Sequence, residues 1–134
     1  MTRKEILLKQ YEIFSHRKLH FGKLFWQMPT IFIATCAFFA NVVKDLNAPH
    51  LWWFVLMISS LLFLITYIGY RLQINENEYE KLMYDIEKEL YSDLEGNIYQ
   101  AHLSKKLGSR LITVIVLFIF AMSTFTISIF NLLF

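Results

Sequence analysis

Three apolar runs constrain this chain more than anything else in it. They are Leu24–Val43, Leu51–Tyr70 and Leu111–Phe134, of 20, 20 and 24 residues, and none holds an Asp, Glu, Lys or Arg. A helix rises about 1.5 Å per residue, so about 20 such residues cross a hydrocarbon core of about 30 Å. A soluble helical domain would have to cover these runs on every side, and a chain of 134 residues has no segments left for that task. The apolar fraction of 56% also exceeds the roughly 45–50% usual in soluble proteins. The expected fold class is therefore all-α: an integral membrane protein with three transmembrane helices, an N-terminal amphipathic helix and a cytoplasmic helical insertion between spans two and three. The corresponding segments are 1–23, 24–71, 72–108 and 109–134.

The basic residues give the orientation. Arg3, Lys4, Lys9, Arg17, Lys18 and Lys23 precede the first run, and Arg71, Lys81, Lys88, Lys105, Lys106 and Arg110 lie between the second and third. The connection Lys44–His50 has Lys44 alone. Because basic loops stay on the cytoplasmic side, the N-terminus and the long middle segment are expected inside a cell's inner membrane, with the C-terminus outside. Interfacial anchors agree: Trp26 at the inner entry, Trp52 and Trp53 at the outer entry, and Tyr67, Tyr70 and Arg71 at the inner exit.

The opening of the first run, "FWQMPTIFIATC", reads as the mouth of a span. Pro29 is expected near a first turn, where a missing N–H costs least. Some 23 polar or mixed residues precede the run, which argues against a cleaved signal peptide. Cys36, the single cysteine, reads as a small apolar residue in a packed helix.

Outside the runs the chain is amphipathic. Residues 1–22 read as an amphipathic helix in which Leu7, Tyr11, Phe14 and Phe21, continued by Phe25, recur at helical spacing, and the arm Met1–Leu24 carries six basic against two acidic side chains. It suits a helix lying on anionic headgroups or one docking on something acidic. Asn75–Glu95 is acidic, with eight Asp and Glu against Lys81 and Lys88. Tyr79, Leu82, Met83, Ile86, Leu90 and Leu94 form its apolar stripe, and with Glu87 and Glu89 they make a candidate surface for a cytoplasmic protein partner. The two helices could pair in one subunit or between neighbours. Gly96–Asn97 marks a break, and a hairpin folding there is preferred to a continuous stalk.

No residues assemble an enzyme. His16 and His20 stand four apart, but the rest of a metal set is missing, so neither a metal nor a cofactor is expected. There is no phosphate loop and no Ser/His/Asp arrangement, and the spans contain no ionisable acid or base for intramembrane catalysis. The net charge of +2, without a basic stripe interleaved with aromatics, gives no reason to expect nucleic acid. Each span does carry a weakly polar side: Thr30, Ala34, Ala37 and Asn41 on the first, Ser59, Thr66 and Gly69 on the second, and Ala121, Thr124, Ser128 and Asn131 on the third. Small and hydroxyl residues let helices approach closely. The stripes therefore mark helix contacts or, in an oligomer, the lining of a poorly selective pore.

A basic arm, "SHRKLHFGKLFWQMPTIFIATC", leads through Pro29 into a two-span hairpin and then a long polar helix. Over roughly residues 10–95 this layout resembles the SLATT group of small bacterial membrane proteins, to which the third span is an addition. The resemblance implies a membrane effector of a bacterial conflict or antiphage defence system, one that assembles and permeabilises the membrane when a partner signals. It implies no catalytic residues. The leading expectation is thus a self-associating membrane effector. The rival is a non-catalytic adaptor or accessory subunit docking a protein through its acidic helix.

Overall fold

The computed structural model describes residues 2–90 and 100–134, apart from the side chains of residues 48–49 and 100–107. It consists of three α-helices: α1, Arg3–Val43; α2, Ala48–Leu90; and α3, Gln100–Leu133. No strand occurs among the described residues, and all three helices are long and apolar enough to cross a membrane.

The helix ends follow local chemistry. At the start of α1, the Thr2 N–H donates to Glu5 Oε2 at 2.8 Å and the Glu5 N–H faces Thr2 Oγ1 at 3.4 Å, a reciprocal capping box. Between α1 and α2, the carbonyls of Val42 and Val43 accept from the N–H groups of Asp45 and Leu46. The Asn47 carbonyl then accepts from His50 and Leu51, which opens α2. Pro49 stands in that first turn, where no N–H is required.

Two features of the helices differ from the sequence expectation. The arm and the first apolar run form one unbroken helix, so Pro29 lies in its interior and not in a first turn. An apolar stripe that continues from Phe14 to Phe32, held by neighbours on both sides of the proline, outweighs the hydrogen bond that Pro29 cannot make. The acidic segment is likewise an extension of α2, which runs without interruption from the second apolar run to Leu90. The expected break at Gly96–Asn97 falls outside the described residues.

Burial repeats along each helix in alternating steps of three and four. Buried or half-buried positions are Gly22, Phe25, Pro29, Phe32, Cys36, Phe39 and Val43 on α1. On α2 they are Val55, Ser59, Leu62, Thr66, Gly69, Gln73 and Glu76, and on α3 Arg110, Val114, Leu117, Ala121, Thr124 and Ser128. This is the heptad spacing of a coiled-coil seam, in which helices keep one stripe turned toward their partners.

The chain divides into two compact units, Met1–Phe25 with Arg71–Leu111 and Trp26–Tyr70 with Ile112–Phe134. In the second, apolar unit the core is Phe32, Ile58, Leu62, Ile65 and Ala121, with Met28, Phe39, Phe54, Phe63 and Leu117 packed against it. Several phenylalanines meet edge to face, among them Phe32–Phe120, Phe39–Phe54 and Phe63–Phe118, a preferred geometry for ring quadrupoles. Small residues set the closest approaches: Ala121 is fully buried, and a Cβ placed on Gly69 would stand 3.8 Å from Met28. The outward surface carries many large apolar side chains, among them Ile33, Phe38, Trp53, Met57, Ile112 and Phe130. Only 6%, 22% and 17% of the most apolar stretches of α1, α2 and α3 is buried.

Candidate functional site

The weakly polar stripes have different fates in the three helices. On α2 and α3 they turn inward. Ser59 is completely buried, its hydroxyl 2.8 Å from the Val55 carbonyl oxygen and 3.1 Å from Thr124 Oγ1. Thr66 donates to the Leu62 carbonyl, Thr124 to that of Ala121 and Ser128 to that of Thr124. These residues and Gly69 are used up in contacts inside one chain. Asn131, the last of the α3 stripe, is exposed and donates to the Ile127 carbonyl. On α1 the stripe turns the other way, and Thr30, Ala34, Ala37 and Asn41 are all exposed. They stand on the face opposite Phe32 and Phe39 and repeat at the same alternating spacing as the buried seam.

The flanking aromatics are mostly turned outward. Trp26, Trp53, Tyr67 and Tyr70 are exposed, as is Arg71, and Trp52 is half-buried. On α3, Phe118, Ile119, Met122, Ser123, Thr126 and Ile127 line an open, largely apolar groove on the outer surface.

In the charged unit, α1 and α2 lie antiparallel and pair by charge. Arg3 meets Glu89, the Tyr11 hydroxyl donates to Glu87 at 2.6 Å, and Lys18 meets Glu80 at 2.9 Å. Arg17 donates to the Tyr79 hydroxyl at 3.1 Å with its guanidinium over that ring, and Phe21 stacks on Tyr79 while Phe14 tilts against it. Of the expected partner surface, Tyr79, Glu87 and Glu89 are therefore in contact with the chain's own arm. Ile86 is buried; Tyr79, Met83, Glu87 and Leu90 are half-buried; Leu82 and Glu89 are exposed. Leu94 lies outside the described residues. Phe14 and Phe21 of the arm thus both pack on Tyr79, as suits the reading of the arm as docking on something acidic.

The least expected constellation also lies in this unit. Glu76 and Gln73, 4% and 5% exposed, occupy consecutive seam positions of α2. Arg110 from α3 reaches Glu76 as an ion pair, its guanidinium 5.7 Å from the centre of the Phe25 ring. From α1 the neighbour is Gly22, where a Cβ would come within 3.0 Å of Glu76 Oε1. Gln73 Oε1 is buried without a hydrogen-bond donor among the described residues. Extending the Ser59, Thr66, Gly69 spacing by four and then three positions lands on Gln73 and Glu76, so the sequence held this signal. His16 and His20 are both exposed, and among the described residues no three His, Cys, Asp or Glu side chains converge as metal ligands.

Comparison with known proteins finds no matching family model, no matching curated protein and no matching solved structure.

Proposed function

We propose that the protein is a multi-pass inner-membrane protein that self-associates and permeabilises the bilayer when its charged cytoplasmic helices are acted on by a signal or partner. The N-terminus and the charged helix ends lie in the cytoplasm and Phe134 outside, as the distribution of Lys and Arg requires. No cofactor takes part. The layout resembles that of the SLATT effectors, which makes antiphage or conflict-type permeabilisation the preferred output.

One observation carries the self-association: the outward stripe Thr30, Ala34, Ala37 and Asn41. In lipid there is little hydrophobic drive between helices, so association depends on close packing at small residues and on polar side chains finding partners. The inward stripes of α2 and α3 already have theirs, leaving the α1 stripe for another copy. The adaptor reading is less well supported, because a partner docking on the acidic helix has to displace the arm from Tyr79, Glu80 and Glu87.

The test is Ala34→Leu with Ala37→Leu. Multimers in gentle detergent and dye leakage from loaded cells should both be lost while membrane insertion is retained. A wild-type protein that is monomeric and causes no leakage, or leucine variants that leak like wild type, would overturn the proposal.

A further inference from the structure

We infer that Lys23 and Arg71 hold the headgroups of anionic phospholipids in the inner leaflet. The inference rests on the membrane topology proposed above and not on self-association. Lys23 immediately precedes the first apolar run and Arg71 immediately follows the second, so both stand where the chain meets the bilayer on its basic side. Both side chains are exposed, and no ion pair reaches either among the described residues.

What sets these two apart from other exposed bases is the lack of an acid within reach. Side chains three or four positions apart on a helix are neighbours. At those distances Lys9 has Glu5 and Glu12, Lys81 has Glu78 and Asp85, and Lys88 has Asp85. Lys23 has Leu19, His20, Trp26 and Gln27, and Arg71 has Tyr67, Ile68, Ile74 and Asn75, none of them acidic. Four acids of α2 are already engaged: Glu76 by Arg110, Glu80 by Lys18, Glu87 by Tyr11 and Glu89 by Arg3. Lys4 also lacks an acid at helical spacing, but it precedes the first run by 20 residues, about 30 Å along the helix. For Lys23 and Arg71 the anion at hand is the lipid phosphate. Exposed aromatics of the kind that sit at headgroup level lie within one turn of each, Trp26 beside Lys23, and Tyr67 and Tyr70 beside Arg71. The lysine stem lies along apolar chains while its ammonium reaches the phosphate, and the guanidinium offers a planar fork to the phosphate oxygens. Net negative charge on the headgroup then favours anionic over zwitterionic lipid, by about fivefold per basic residue.

The test reads tryptophan quenching by brominated lipid in full-length protein reconstituted into phosphatidylcholine vesicles. Trp52→Phe/Trp53→Phe leaves Trp26 as the reporter beside Lys23. Adding Trp26→Phe and Tyr70→Trp moves the reporter beside Arg71. At each reporter, brominated phosphatidylglycerol should associate about fivefold more strongly than brominated phosphatidylcholine at low salt. The preference should shrink at about 1 M salt, where the Debye length is about 3 Å. Lys23→Gln should abolish it at residue 26 and Arg71→Gln at residue 70, while Lys9→Gln/Lys81→Gln should leave both preferences intact. Because Lys23 and Arg71 are exposed, quenching by brominated phosphatidylcholine, which reports insertion, should not change. Equal quenching by the two lipids in the parent would overturn the inference. So would a preference that survives Lys23→Gln and Arg71→Gln, or one that Lys9→Gln/Lys81→Gln removes as well. Quenching by neither lipid would overturn the membrane reading itself, and the inference with it.

Discussion

Three ion pairs among the described residues of the charged unit rank by burial. The side chains of Arg3 and Glu89 are 84% and 43% exposed, so water screens them and their pairing contributes little. Those of Arg110 and Glu76 are 18% and 5% exposed, and removing one partner strands the other. Arg110→Ala should therefore cost about 3–5 kcal/mol, and Arg3→Ala less than about 0.5 kcal/mol, both read from denaturant unfolding in detergent. Equal losses at the two positions would contradict this ranking. The sequence alone showed Glu76 as one acid among eight and Arg110 as one base at a membrane entry. What distinguishes them is a neighbour on another helix, and residue 22 mattered only once a third helix was seen to approach there.

At the level of the helix, the apolar runs and amphipathic stripes were legible because each has its own period. The joins were not. Composition changes sharply near Phe25 and Tyr70, which suggested separate elements, yet backbone hydrogen bonding ignores composition, and α1 and α2 pass straight through. The same cause hid the α2 seam: the Ser59–Gly69 stripe and the Tyr79–Leu90 stripe read as two features because the residues between them are polar. Pro29 tests the continuity of α1. An interior proline costs a helix about 3 kcal/mol, so Pro29→Ala should raise the melting temperature while leaving the Ser59–Thr124 contact in place. A fall would mean that the packing of Phe32 and Phe39 depends on a bend that the proline supplies.

For the whole molecule, the all-helical class and three helices long and apolar enough to cross a membrane followed from length and hydropathy alone. The pairing of the basic arm with the acidic segment was foreseen as one of two options, within a chain or between chains, and the two segments meet within the chain. Function is less legible because permeabilisation and passive anchoring ask for the same apolar helices. They differ only in what the outward face of α1 meets. Both readings rest on lipid surrounding the three helices, with the charged ends on one side. The most direct measurement labels single cysteines, introduced with Cys36→Ala, in sealed vesicles of either orientation using a membrane-impermeant maleimide. Asn47→Cys should react only from outside, Glu89→Cys only from inside, and Ser59→Cys from neither side. Labelling of positions 47 and 89 from the same face, or free reaction at position 59, would contradict the account.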